Sequence, residues 1–118
     1  MPVIGVGVDL CSIERWQQAC ERRPGLRERV LCPGEAALPV ASQAGRWAAK
    51  EALAKALGAP AGMVWRDCEV LRGADGAPSF RLQGTVQARA DELGITTIHL
   101  SISHDGGLAT AYVICEAR

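Results

Sequence analysis

The sequence lacks the features that mark several large classes of protein. Its 13 basic side chains are balanced by 13 acidic ones, so bulk electrostatic capture of nucleic acid is not expected. No apolar run approaches the roughly 20 residues needed to cross a bilayer. The opening MPVIGVGVDL has neither the basic start nor the small-residue cleavage site of a signal peptide. Neither a P-loop nor a G-x-G-x-x-G motif follows a predicted strand, which excludes the nucleotide-binding folds built on those motifs.

The cysteines are not arranged for zinc or redox chemistry. There are five of them, widely scattered, and no C-x-x-C pair occurs. Reduced thiols in a cytoplasmic protein are the simplest interpretation. The 118 residues are 48% hydrophobic and 22% charged, which is typical of one globular domain, predicted here over residues 1–118.

Glycine, proline and capping residues divide the chain into alternating helices and strands. Strands are predicted over 3–10, 67–72, 79–82, 97–103 and 108–115, and the first is expected to be buried. Helices are predicted over 13–22, 26–31, 35–38, 43–57 and 85–93. Ser12, Ser42 and Thr85 are the expected N-caps, and a tight turn is expected over 104–107. Because neighbouring strands joined by short turns are antiparallel, the predicted fold is α+β with a small antiparallel sheet.

The first candidate for chemistry is Asp9, which ends the apolar run GVGVD. A carboxylate at the end of a strand is a ligand that Mg²⁺ accepts, together with water and phosphate oxygens. The alternative is an aspartate that caps the following turn. Asp9 alone does not decide between these interpretations.

The second candidate is the helix segment that contains Glu51 and Lys55. Their i, i+4 spacing places both on one helix face, where a metal-binding carboxylate could stand beside a phosphate-binding ammonium. The same spacing is common in surface ion pairs, which contribute only about 0.3–0.5 kcal/mol. Only two of the 13 basic residues are lysines, Lys50 and Lys55. Both fall in this helix, which suggests that a compact ammonium is needed there.

The third candidate is the segment SISHDGG near the C-terminus. A histidine at a glycine-flexed turn, His104, could reach an anion, and Ser103 with the backbone N–H groups of the turn could bind phosphate oxygens. The alternative is a polar hairpin. Ser103, His104 and Asp105 are sequential and therefore do not suit a catalytic triad.

The order and wording of these segments resemble one family. The segments GVGVDLCSIER, RWAAKEALAKALG and SISHDGGLATAYVI lie within residues 5–15, 46–58 and 101–114. They are similar to motifs of the 4′-phosphopantetheinyl transferases, and the short chain points to the holo-acyl-carrier-protein synthase branch. The resemblance spans nearly the whole chain. It implies transfer of 4′-phosphopantetheine from coenzyme A to a serine hydroxyl of an apo acyl carrier protein.

The resemblance also implies the catalytic residues. Asp9 and Glu51 correspond to the family's ligands for Mg²⁺, with Mn²⁺ as an alternative, and Glu51 could help deprotonate the serine directly or through a water. Lys55 would neutralise phosphate oxygens on the leaving group. Some relatives carry a further acidic ligand at the position of Cys11, so a third protein ligand is not expected here.

Coenzyme A would contact a second set of residues by the same resemblance. These are Arg46, Lys55, Gly58, Ser103 and His104, with Arg46 and His104 near the 3′-phosphate. The resemblance does not assign Lys50 a role.

The carrier and the oligomeric state are implied in the same way. Residues 14–29 hold five arginines against three glutamates, and Arg15 and Arg29 are the predicted docking residues for an acidic carrier protein. The family's small branch forms homotrimers with active sites between subunits. Two alternatives stay open: a non-catalytic module that binds coenzyme A or the carrier, and a metal-dependent phosphoesterase in which water is the nucleophile.

Overall fold

The chain folds as five strands and five α-helices in a computed structural model that describes residues 2–117. The elements in chain order are β1 (Val3–Ser12), α1 (Ile13–Arg22), α2 (Leu26–Val30), α3 (Pro33–Ala36), α4 (Val40–Ala56), β2 (Cys68–Arg72), β3 (Pro78–Leu82), α5 (Gly84–Glu92), β4 (Ile95–Asp105) and β5 (Leu108–Ala117). A 3₁₀ turn, Trp65–Asp67, precedes β2. The predicted α+β class is confirmed. Among residues 2–117, no helix combines the length and apolar character needed to cross a membrane.

The main sheet has three antiparallel strands in the order β1-β5-β4. The register aligns Asp9 with Ala111 and Ala111 with Ile102, so these three residues form one row across the sheet. β2 and β3 form a separate antiparallel hairpin. Both β1 and β4 are therefore edge strands of the main sheet, which matters for the site described below.

Helix α4 lies against one face of the main sheet at very short range. An added Cβ atom at Gly7 would collide with the carbonyl oxygen of Ala52, and one at Gly5 would collide with that of Ala56. The glycines of GVGVD thus allow the helix backbone to approach the strand directly. Alanines on the buried side of α4 complete this close packing over Val113 and Cys115 of β5.

The opposite face of the sheet is open, so the prediction of a fully buried first strand is wrong. Strand β1 alternates: its glycines face α4, whereas Val6 and Val8 are 49% and 48% exposed and Leu10 is 66% exposed. Tyr112, which is paired with Val8 on β5, is 50% exposed. An apolar surface therefore covers the outer side of β1 and β5.

A second core cluster joins α1, α2 and α4 around three tryptophans. Trp16 stacks on Trp47 with ring centroids 6.1 Å apart, and Trp47 meets Trp65 edge-on at 4.8 Å. The buried Gln43 amide accepts hydrogen bonds from Trp16 Nε1 and Arg27 Nε at 3.0 and 2.9 Å. These contacts fix the two arginine-rich helices against α4.

Two of the three predicted N-caps are wrong. Ser12 does cap α1, since its hydroxyl accepts from the Arg15 N–H. Helix α4 begins at Val40 with Pro39 as N-cap, because the Pro39 carbonyl already accepts from Gln43 N. Helix α5 begins at Gly84, before Thr85. The predicted turn over 104–107 is also shorter than expected, because β4 continues through Asp105.

Candidate active site

Asp9 and Lys55 form an ion pair at the exposed edge of β1. Lys55 Nζ lies 2.8 Å from Asp9 Oδ1 and 3.0 Å from the Val8 carbonyl oxygen. The Lys55 side chain is 55% exposed, whereas that of Asp9 is only 10% exposed. The ammonium therefore bridges helix and strand, in place of the pair with Glu51 that the i, i+4 spacing allowed.

Glu51 completes this group from the preceding turn of α4. Burial, a side-chain hydrogen bond with Asp9 and the charge of Asp9 raise the pKa of Glu51 to about 7, and Lys55 opposes the rise. Two carboxyl groups from elements far apart in sequence thus share one small space. Such a pair gains from a cation between its oxygens.

The donor set fits a hard divalent ion. Mg²⁺ prefers carboxylate oxygens and usually binds only one or two of them together with water and phosphate. Within residues 2–117, no cluster of three or more histidine, cysteine or acidic side chains could hold a metal. Asp9 and Glu51 are the two carboxyl groups at this site that could hold such an ion. Substrate and water oxygens would supply the remaining ones.

Cys11 lies beside this group without extending it. Burial, followed by the charges of Glu51 and Asp9, raises the pKa of the Cys11 thiol to about 11. Its Sγ donates to the Ser12 carbonyl oxygen at 3.7 Å. The thiol is therefore neutral at physiological pH and is a poor ligand for magnesium.

His104 and Arg46 occupy the region around the first half of α4. His104 Nε2 is 3.0 Å from the Ala41 carbonyl oxygen, and an added Cβ atom at Gly45 would approach this nitrogen to 2.9 Å. Arg46 is 6% exposed, and its Nε has no hydrogen-bond partner among the described residues. Burial and then the nearby Arg72 lower the pKa of Arg46. A buried guanidinium with an unused donor is suited to an anion.

The register of the strand pairs places His104 away from the carboxylates of Asp9 and Glu51. His104 is aligned with Ala109 and Ala109 with Cys11, so His104 lies two strands away from β1. Two strand spacings amount to about 10 Å, and α4 packs over the face between them. Asp9, Glu51 and Lys55 therefore lie at the β1 edge, whereas His104 lies at the β4 edge.

Ser103 and Gly58 are placed differently from His104. Ser103 is exposed and points to the other side of β4, because neighbouring residues of a strand alternate. Gly58 follows α4 with φ +81°, a conformation that favours glycine, and an added Cβ there would lie 3.2 Å from Arg89 Nη2. The structure thus brings together the three predicted catalytic residues, whereas Ser103 and His104 lie on the opposite edge strand.

The two predicted carrier-docking residues are both exposed. Arg15 lies on α1 beside a cavity of about 350 Å³ that is bordered by Leu10, Trp16 and Trp47. Arg29 is exposed on α2. Arg27, between them in sequence, is held by Gln43. The surface of α1 and α2 thus carries two exposed arginines, Arg15 and Arg29, near the β1 edge.

Lys50 has a role that the sequence alone did not assign. It is fully buried, and its Nζ lies 2.9 Å from Glu35 Oε1, although Glu35 is 15 positions away in the chain. One signal was available: Lys50 is three residues before Leu53 and therefore on the buried side of α4.

Comparisons with known proteins show the family of the chain. The sequence profile of the 4′-phosphopantetheinyl transferase superfamily matches residues 5–113. The chain belongs to this superfamily.

Within the superfamily, the chain is similar to individual holo-[acyl-carrier-protein] synthases in sequence and in structure. The chain is 50% identical to a holo-[acyl-carrier-protein] synthase of Cutibacterium acnes over 114 residues, 97% of this chain and 98% of the relative. It is similar to the crystal structure of holo-[acyl-carrier-protein] synthase from Neisseria meningitidis, with a TM-score of 0.88, 30% identity and coverage of 98% and 99% of the two chains. The Helicobacter pylori synthase in complex with coenzyme A gives a TM-score of 0.83 at 32% identity, covering 94% and 99%.

Proposed function

We propose that this protein is a holo-[acyl-carrier-protein] synthase. It transfers the 4′-phosphopantetheine group of coenzyme A to a serine hydroxyl of an apo acyl carrier protein and releases adenosine 3′,5′-bisphosphate. The observation that carries the proposal is the meeting of Asp9, Glu51 and Lys55 at one point of a chain that belongs to this superfamily. Transfer of a phosphoryl group needs alignment and charge neutralisation, which these side chains supply.

A magnesium ion held by Asp9 and Glu51 is the proposed cofactor, with Mn²⁺ as an alternative. When bound, such an ion polarises phosphate oxygens and neutralises their charge. The support for it is the close pair of carboxyls, in which burial and then the hydrogen bond and charge of Asp9 raise the pKa of Glu51.

The chain's own residues account for the proton and the leaving group. The serine oxygen forms a bond to the pantetheine-side phosphorus while the bond from that phosphorus to the bridging oxygen breaks. Glu51, directly or through a water, accepts the serine proton. Lys55 stays charged, since its hydrogen bond and ion pair with Asp9 raise its pKa, and it stabilises the negative charge on the departing bisphosphate.

The active site is proposed to lie between subunits of a homotrimer. Arg46 and His104 are the proposed partners of the 3′-phosphate of coenzyme A, with Gly58 and Ser103 also lining its site. Because His104 lies at the β4 edge and the carboxylates at the β1 edge, two copies would supply the two halves of one site. The exposed apolar surface of β1 and β5 offers an area for such assembly.

The carrier and the compartment complete the proposal. An acidic carrier protein would dock on Arg15 and Arg29, which are exposed beside the cavity that opens toward β1. All five cysteines are free, which supports a reducing compartment, and we place the protein in the cytoplasm. Residues 1–118 are proposed to act as one domain.

One incubation tests the activity and its two alternatives. The protein is mixed with coenzyme A, Mg²⁺ and an apo acyl carrier protein, and the products are analysed by mass spectrometry. The expected result is a carrier serine that gains one phosphopantetheine, with no gain for Glu51→Gln. Hydrolysis of coenzyme A without carrier modification would indicate a phosphoesterase. Binding of coenzyme A with neither reaction would indicate a non-catalytic module.

A further inference from the structure

The segment 57–67 leaves the end of α4 just after Lys55 and returns beneath the same helix. Its first part, residues 58–63, is largely exposed and borders a cavity of about 450 Å³. Its last part is the 3₁₀ turn Trp65–Asp67. The position of residues 58–63 therefore depends on the contacts that fix residues 64–67.

Lys50 holds that end from below. Its Nζ donates to the Trp65 carbonyl oxygen at 3.0 Å and to the Cys68 carbonyl oxygen at 2.6 Å, in addition to its ion pair with Glu35. All three ammonium protons are thus used in a site from which water is excluded. Two of the three partners are backbone atoms, one at Trp65 in the 3₁₀ turn and one at Cys68, the first residue of β2.

Both carboxylate oxygens of Glu35 also accept hydrogen bonds, but from other parts of the chain. Its Oε1 accepts from Cys32 N and its Oε2 accepts from Val70 N, both at 2.8 Å. Buried ion pairs often contribute little net stability, because desolvation offsets their attraction. The two carbonyl contacts satisfy the Lys50 donors that burial would otherwise leave unpaired, and they also fix the backbone at Trp65 and Cys68.

Thr85 holds the same segment from the other side. Its Oγ1 accepts from Val64 N at 2.9 Å and donates to Asp67 Oδ2 at 2.8 Å. Lys50 and Thr85 thus fix positions 64–68 from two directions. Residues 58–63 span the distance between this fixed end and the last turn of α4.

We propose that Lys50 is a positioning residue for coenzyme A binding. By holding the Trp65 and Cys68 carbonyls, it sets the position of residues 58–63, which begin three positions after Lys55 with Gly58, a residue proposed above to line the coenzyme A site. Thr85 is a second tether of the same segment. The inference rests on the proposed function, because it takes coenzyme A as the ligand next to Lys55. Among the described residues, Lys50 forms no hydrogen bond or ion pair with Asp9, Glu51 or Lys55, and the proposal gives it a role.

Calorimetric titration with coenzyme A in the presence of Mg²⁺ tests this, with thermal unfolding of every variant in parallel. Lys50→Met removes the tether and is expected to weaken coenzyme A binding by about tenfold, because binding must then also order residues 58–63. Glu35→Gln is the matched control. It disrupts the ion pair and lowers the melting temperature but keeps both carbonyl contacts, so the Kd for coenzyme A should change by less than about twofold. In turnover assays Lys50→Met should raise KM for coenzyme A and leave KM for the carrier unchanged.

The outcome separates positioning from general stability. Wild-type affinity in Lys50→Met, or equal weakening by Glu35→Gln and Lys50→Met, would overturn the proposal. If Lys50→Met does not fold, the double variant Glu35→Gln/Lys50→Met removes both charges and takes its place. If that also fails, Thr85→Val decides: a Kd raised about threefold supports the tether, and an unchanged Kd overturns it. Failure of the wild-type protein to bind coenzyme A would instead contradict the proposed function.

Discussion

The site depends at the residue scale on one lysine that faces two carboxyl groups. Lys55 is bound to Asp9 at 2.8 Å while more than half of its side chain stays exposed to an incoming substrate. Its exposure means that it contributes little to folding. Activity and stability should therefore respond very differently when it is changed.

Replacement of Lys55 by alanine should abolish most turnover and leave the fold intact. Loss of a group that stabilises developing charge typically lowers kcat by about 10²–10³-fold. The melting temperature should stay within a few degrees of the wild type, because the side chain is exposed. Lys55→Arg keeps the charge and serves as the control for geometry. Near-normal kcat in Lys55→Ala, measured by carrier modification, would count against the assignment.

Charge reversal on α1 should separate carrier docking from chemistry. Arg15→Glu is expected to raise KM for the apo carrier by about tenfold or more and to leave KM for coenzyme A unchanged. Arg22→Glu, at the far end of the same helix, is the matched control and should have a smaller effect. Steady-state kinetics with each substrate varied in turn measures both constants. An unchanged KM for the carrier in Arg15→Glu would remove Arg15 from the docking surface.

The sequence placed distant residues together only where the family resemblance linked them. Asp9, Glu51 and Lys55 were predicted as a group, and the structure places them together. The sequence analysis interpreted Lys50 together with Lys55, as two lysines in a helix that needs a compact ammonium. Its partner Glu35 belongs to another element, and no spacing rule links positions 35 and 50.

At the scale of elements, α5 depends on a carboxylate from the 3₁₀ turn. Asp67 Oδ2 accepts from the Thr85 N–H and from its hydroxyl, both at 2.8 Å, and these bonds hold the pKa of Asp67 below its usual value. The predicted cap, Thr85, is thus itself bound by Asp67. A negative charge at this end also suits the helix dipole.

This contact predicts a pH-dependent contribution to stability. Asp67→Asn should lower the free energy of unfolding by about 1 kcal/mol at pH 7. Because the folded-state pKa of Asp67 is depressed, its contribution is complete above the unfolded pKa of about 4 and is lost as pH falls through the folded value. The difference between wild type and variant should therefore shrink below pH 4 in urea unfolding experiments. A difference that is constant down to pH 2 would contradict this account.

The contact between α4 and β1 should be the least tolerant of added atoms. Gly7→Ala places a methyl group against the Ala52 carbonyl, which is backbone and cannot rotate away. We expect a loss of about 2–4 kcal/mol or failure to fold. Gly34→Ala is the matched control, since its Cβ would meet only the flexible Glu69 side chain at 3.4 Å. Equal stability of the two variants in denaturant titrations would show that the helix can move away from the strand.

Element boundaries show where local signals are sufficient. Ser12 begins α1 as predicted because its cap acts within one turn. Ser42 is an equally good capping residue, yet α4 starts at Val40, because Pro39 already supplies the first carbonyl. The exposed side of β1 could not be inferred from GVGVD, since both a buried and a half-exposed strand give the same apolar run.

At the scale of the whole molecule, the outer face of the sheet predicts self-association. Tyr112→Lys places a charge at the centre of the exposed apolar surface of β1 and β5 and is expected to convert the proposed trimer to monomers. Activity should fall with it, because Asp9 and His104 of one chain lie at opposite edges. Leu71→Lys is the control, since Leu71 is also exposed but lies on the β2–β3 hairpin. Sedimentation equilibrium that gives the same mass for wild type and Tyr112→Lys would contradict the proposed assembly.

The most direct test of the account is the position of the bound metal. Crystals grown with Mn²⁺ and coenzyme A allow the ion to be located by its anomalous scattering. We predict one peak within bonding distance of carboxylate oxygens from both Asp9 and Glu51, with Lys55 beside the phosphates. An ion that contacts neither carboxylate, or only one of them with the other turned away, would contradict the central claim.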